Sequence, residues 1–187
     1  MPRRLTAPDP PLADSTVRLE PLTQADHDDM SALIGEEDVR RFTLVPTNPA
    51  PGFVKGWIER YERGWSDGSC AGFSIRDPET GRLIGFASIV RLDLDAREGE
   101  IGYLVAPAAR GRGAATAAVR LLTRWGLEEL GLERLELRID VANEGSVRVA
   151  ERAGYRLDGV LRSVHFKEGR RSDTGVWSRL RIDSLSV

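Results

Sequence analysis

The sequence predicts an α+β domain on one mixed, mostly antiparallel central sheet of about seven strands, flanked by about four helices. Three observations carry this. Short runs in which apolar and polar residues alternate mark half-buried strands, and they are interspersed with runs whose apolar residues recur every three or four positions, as on amphipathic helices. Three of the strand-like runs follow one another across short turns, which makes them an antiparallel meander rather than a βαβ unit. The 187 residues are 41% hydrophobic and 30% charged, a length and balance that suit one domain with a core of its own.

Residues 1–14 hold four prolines and few apolar residues, and are expected to be a flexible tail ahead of a single domain over 15–187. Val17 and Leu19 alternate with Arg18 and Glu20 in a strand that ends at Pro21. Thr23 with Asp26 marks a helix start, and Met30, Leu33 and Ile34 keep helical spacing up to Gly35. Segment 43–51 has three prolines and is a loop. A second helix over 52–65 sets Phe53, Trp57, Ile58 and Tyr61 on one side. The meander follows: a strand over 71–76, a turn at 77–81, a strand over 82–92, and a strand over 100–107 that Pro107 stops. The period then changes. Ala115, Ala118, Val119, Leu122 and Trp125 place a helix over 112–130, ended by Gly131. Leu135, Leu137, Ile139 and Val141 alternate as a strand, 143–153 reads as a short helix stopped by Gly154, and two strands over 155–164 and 173–182 close the chain around a turn at 167–170.

Composition removes several classes of function. The net charge is −2, from 27 basic and 29 acidic residues, without the basic excess of a nucleic-acid binder. No apolar run approaches the ~18 residues that span a bilayer, so no membrane partner is expected. Arg3 and Arg4 have no apolar stretch behind them, unlike a secretory signal. Cys70 is the one cysteine, which fits a reducing, cytoplasmic setting. His27 and His165 are the two histidines, too few with Cys70 for a structural zinc set, so no metal is expected.

The segment Tyr103-Leu-Val-Ala-Pro-Ala-Ala-Arg-Gly-Arg-Gly-Ala-Ala-Thr116 carries the chemistry. A strand ends, a loop turns, and a helix starts after Gly111 and Gly113. Glycines let a ligand approach the main chain. The first amides of a helix have no internal partners and lie at the positive end of its dipole, a site for a phosphate pair. Arg110 and Arg112 add charge, while Ala114 and Ala115 keep the first turn slim. The alternative is a glycine-rich turn that binds nothing. No Lys-Ser/Thr pair follows the glycines, and the spacing and the meander do not suit a dinucleotide fingerprint. An ATP- or NAD-binding enzyme using this loop is therefore the weakest of the functional readings.

A second segment, Asn143-Glu-Gly-Ser146 ahead of a short helix ending in Gly154-Tyr155, pairs with the first. Together they resemble the GNAT superfamily of acyl-CoA-dependent N-acyltransferases, within it the RimJ/RimL type that acetylates N-terminal amines of ribosomal proteins. The family's pyrophosphate motif, Arg/Gln-x-x-Gly-x-Gly/Ala, is matched by Arg110-Gly-Arg-Gly113-Ala-Ala115. The final hairpin is also similar to that subgroup's, so the likeness runs over about residues 16–184.

The resemblance implies a sheet whose central strands splay, with the amides of residues 111–115 on the CoA pyrophosphate. Main-chain groups near Leu104 and Val105, with Asn143, would meet the pantetheine arm; Asn143 is also placed to cap its helix. Ser146 corresponds to the proposed proton donor to the leaving sulfur in RimL-like enzymes, or is a first-turn serine. Ala150 stands where many members have a tyrosine acid. Glu100 matches a glutamate that is the base in some members, or is a solvated strand-end carboxylate. His165 lies opposite the basic glutamate of RimL-like enzymes, or is an edge histidine. The implied function is acetyl transfer from acetyl-CoA to a primary amine, on a peptide N-terminus or a small molecule, by direct attack and without a metal. The alternative is an acyl-CoA sensor on the same fold that does not turn over. Relatives often dimerise, so a homodimer is an option. Phe42, Trp57, Tyr61 and Trp65 are candidates for an acceptor cleft, at least two of them expected in the core. Loop 43–51 is a candidate lid, and Asp67, Asp93 and Asp95 would either draw a cationic acceptor or be merely solvated.

Overall fold

The structure, a computed structural model, describes residues 4–184. Eight strands form one sheet in the order β1-β2-β3-β4-β5-β6-β8-β7. They are β1 (Leu12–Ala13), β2 (Arg18–Pro21), β3 (Ala71–Arg76), β4 (Leu83–Asp93), β5 (Glu98–Val105), β6 (Arg134–Asp140), β7 (Arg156–Lys167) and β8 (Arg170–Leu180). Seven match the expected runs, and the eighth is the two-residue β1. Neighbouring strands are antiparallel except β5 and β6, which are parallel. That pairing covers Glu98–Glu100 against Arg134–Glu136 and then stops, although β5 runs on to Val105 and β6 to Asp140. The central strands therefore splay.

Helices cover both faces. One core layer sets α4 (Ala114–Arg124) and α5 (Glu144–Arg152) against Phe73, Ile75, Ile89, Leu135 and Leu137. In α4, Ala118, Val119 and Leu122 are fully buried at the predicted spacing, and the helix widens into a π-helical turn over Trp125–Glu129. Trp65, Phe73 and Trp125 pack edge-on or tilted at centroid distances of 5.3–5.9 Å. The second layer sets α1 (His27–Gly35), α2 (Glu37–Arg40) and α3 (Phe53–Asp67) on the other face, around Met30, Ile34, Ile58, Tyr61 and Phe86. The one-turn α2 is the helix that periodicity did not announce. Gly72 of β3 permits the close approach of α3, because a Cβ there would lie 2.6 Å from the Tyr61 ring. Asp26 pins the start of α1: it accepts the Thr23 amide at 3.0 Å and the Arg76 guanidinium at 2.5 Å.

The expected tail departs from prediction over residues 4–14; residues 1–3 lie outside the described range. Leu5 and Leu12 are buried, the Leu5 amide donates to the Trp65 carbonyl at 2.9 Å, and β1 pairs with β2. Burial of two leucines is worth about 1.5–3 kcal/mol each, enough to hold a proline-rich strand against the core.

Candidate active site

The splay of β5 from β6 opens a cleft of about 1590 Å³ that runs through the sheet. At one end lies the glycine loop. A 3-10 turn over Pro107–Ala109 follows β5, and Gly111 and Gly113 take φ of +75° and +85°, conformations that side-chain-bearing residues rarely adopt. A Cβ at either would meet no protein atom within 4 Å, so the space over them is open. Ala114 starts α4 there with no side chain capping it, and the first residues of the helix line the cleft. Arg110 braces the loop: its Nε donates to the Val105 carbonyl at 3.2 Å and its Nη1 pairs with Asp38 at 3.5 Å. Arg110, Gly111, Gly113, Ala114 and Ala115 line the cleft, as do Leu104 and Val105. Arg112 is exposed, is not among the lining residues, and acts electrostatically on Asp77.

The residues at the start of α5, Asn143, Gly145 and Ser146, also line the cleft. Asn143 Oδ1 accepts the Ser146 amide at 3.1 Å, so the asparagine caps the helix and holds Ser146 on the cleft wall. Ala150 is fully buried. Beside Ser146 lies a group that motif reading missed. The Tyr103 hydroxyl is buried and makes no hydrogen bond of regular geometry among the described residues, the Ser146 side chain being the polar group beside it. Burial pushes it up to about 12, and the Ser146 side chain is the one influence that lowers it. Strand alternation was the available signal, since it puts Tyr103 on the face opposite Glu100, under α5.

Glu100 stands where the pairing of β5 with β6 ends. Its carboxylate lies 3.1 Å from Arg91 Nη2 and 3.5 Å from Arg138 Nε. Burial pushes its pKa above the usual range, opposed by the two arginines and assisted by Glu136. It is therefore a largely buried, paired carboxylate rather than a solvated strand end. Across the cleft, β7 bulges between Leu161 and His165, with Ser163 at φ +58° and its amide on Asp173 at 2.8 Å. The bulge carries Val164, His165 and Phe166 onto the cleft wall.

The other end of the cleft is closed by loop 41–45 and α3. Phe42 and Trp57 line it, Tyr61 forms its buried floor and donates to Ser88 Oγ at 3.3 Å, and Trp65 belongs to the core. The hairpin tip clasps the loop: Lys167 Nζ donates to the Arg40 and Thr43 carbonyls at 2.5 and 2.9 Å, and Glu168 accepts the Thr47 amide at 2.9 Å. Asp67 and Asp93 are spent on turn amides, and neither they nor Asp95 line the cleft. Among the described residues there is no cluster that would hold a metal and no helix long and apolar enough to cross a membrane.

A family profile described as "Acetyltransferase (GNAT) domain" matches residues 16–156. The Bacillus subtilis (strain 168) protein YdaF is 38% identical over 101 residues, 54% of this chain and 55% of its own length. The spermidine N(1)-acetyltransferase of Escherichia coli (strain K12) is 26% identical over 82% of this chain and 80% of its own. The ribosomal-protein-serine acetyltransferase of the same organism is 30% identical over 54% of this chain and 56% of its own. The chain thus matches little more than half the length of YdaF and of the ribosomal-protein enzyme. A crystal structure described as a probable acetyltransferase superposes with a TM-score of 0.81 at 28% identity, over 91% of this chain and 96% of that one.

Proposed function

The chain belongs to the GNAT acetyltransferase family, of RimJ/RimL-like type, and from that premise we propose that it moves an acetyl group from acetyl-CoA to a primary amine by direct attack in a ternary complex. The observation that carries this is the single cleft joining an open helix N-terminus to Glu100, Ser146 and His165.

In this reading the amides of residues 111–115 receive the pyrophosphate, aided by the α4 dipole. Leu104, Val105 and Asn143 guide the pantetheine arm along the gap. Glu100 takes the proton of the attacking amine, directly or through water. A carboxyl pushed upward by burial is a stronger base than a solvated one. His165, on the opposite wall, is the second group able to do so. As the carbon–sulfur bond breaks, Ser146 donates its proton to the sulfur and regains one from water in the cleft, to which Glu100 releases the amine's proton, while the neutral Tyr103 hydroxyl beside Ser146 orients it. The proton that the amine loses balances the one that the sulfur gains. Cys70 is buried between α3 and β3 and does not line the cleft, so no covalent acyl-enzyme forms on it. The acceptor is a peptide N-terminus or a small molecule.

Thermal unfolding with acetyl-CoA, succinyl-CoA, CoA, ATP and NAD tests the reading. A ligand at about 100 times its Kd should add about 2.7 kcal/mol. Stabilisation by CoA compounds alone is expected. No response to them, or a larger one to ATP or NAD, overturns the assignment.

A further inference from the structure

The charge of the cleft departs from that of the chain. The whole sequence is nearly balanced at −2, yet seven arginines line the cleft against three carboxylates. Arg110 lies on the glycine loop and pairs with Asp38, and Arg148 and Arg152 lie on α5, where Arg148 pairs with Glu144. Arg41, Arg60, Arg91 and Arg138 remain. Of the three carboxylates, Asp38 faces Arg110, and Asp140 accepts the Ser172 hydroxyl at 2.5 Å and the Ala142 amide at 2.9 Å. Glu100 engages Arg91 and Arg138. Among the described residues neither Arg41 nor Arg60 forms an ion pair; each instead lies over an aromatic ring, Arg41 at 5.0 Å from the Phe42 centroid and Arg60 at 5.7 Å from that of Tyr61. Stacking of this kind orients a guanidinium while leaving its N–H fork available to a carboxylate.

Resting on the acetyltransferase reading, we infer that the acceptor is a primary amine that also carries a carboxylate and an apolar or aromatic body, not a polyamine. Arg41 and Arg60 take the carboxylate, while Phe42, Trp57, Phe86 and Phe166 take the apolar part. A polycation would need several uncommitted carboxylates here; among the described lining residues Asp38 faces Arg110, Asp140 is held by Ser172 and Ala142, and Glu100 lies between two arginines.

The test compares matched amines: phenylalanylglycine and leucylglycine, each as the free acid and as the C-terminal amide, with spermidine as the polycation. CoA release is followed with wild type and with an Arg41→Gln/Arg60→Gln variant. The free acids should exceed their amides about ten-fold in kcat/KM, the worth of one charge-assisted pair, and spermidine should lag behind both. In the variant that ratio should fall toward one while CoA affinity and melting temperature hold. Amides or spermidine turned over as well as the acids, an acid-to-amide ratio unmoved by the variant, or no turnover of any acid by a protein that binds acetyl-CoA would overturn the inference. Failure to bind acetyl-CoA would instead overturn the acetyltransferase reading beneath it.

Discussion

At the glycine-loop end of the cleft the chain offers main chain; at the acceptor end it offers side chains. The first end comes from one continuous stretch, residues 104–115, whose geometry depends on two positive-φ glycines and the start of a helix. The second is assembled from loop 41–45, α3, the middle of β4 and β5, and the β7 bulge, segments as far apart in sequence as Arg40 and Lys167. Amides at a helix end bind phosphate whatever the surrounding sequence, so that end is fixed by local structure. The acceptor end owes its shape to tertiary contacts, and there residue identity sets specificity.

The largest test of this contrast is Gly113→Glu. The substitution strains a φ of +85° and puts bulk and negative charge into open space at the helix start. CoA affinity measured by calorimetry should fall at least about 100-fold, or about 3 kcal/mol, with the acceptor end intact. Wild-type affinity would break the idea that the loop is the donor site.

Glu100→Gln should lower kcat about 100-fold with little change in CoA binding, as expected for loss of a general base. Retained activity would shift that role to His165. The variant also has a stability signature. The Glu100 pKa is raised in the folded protein, so its contribution is most favourable below the unfolded value near 4.5 and is lost as pH rises through the folded value. The melting temperatures of Glu100→Gln and wild type should agree near pH 4 and diverge toward pH 7, with the variant higher.

Tyr103→Phe gives the smallest and most diagnostic effect. Removing a buried hydroxyl that makes no regular hydrogen bond among the described residues should leave stability unchanged or raise it by about 1 kcal/mol, while kcat drops several-fold at constant KM. A hydroxyl serving the fold would give the reverse, a lower melting temperature with kcat preserved.

The glycine loop and the Asn143 cap were legible because their signals are local: glycine spacing, the change of period at residue 112, and an asparagine ahead of a helix. The strands and long helices were legible for the same reason, and Ala118, Val119 and Leu122 lie buried where the period puts them. The packing of residues 4–14 was not, since a two-residue strand has no periodicity and the partner of Leu5 is Trp65, sixty residues away. Arg112 looked equivalent to Arg110, but only Arg110 reaches back to the Val105 carbonyl. The clasp of Lys167 on Arg40 and Thr43 joins two loops that no motif connects.

The interrupted pairing of β5 and β6 bears on self-association. An open strand edge ordinarily templates another chain, and sheets pay for outer edges with aggregation risk. Beyond Glu100 and Glu136 this sheet has two such stretches in its middle, but they face one another inside a cleft with a helical layer on either face. A neighbouring molecule's strand, held by its own sheet, cannot enter there, whereas a slender extended molecule can. These inner strand edges are thus open to a slender molecule and out of reach of a second copy of the chain.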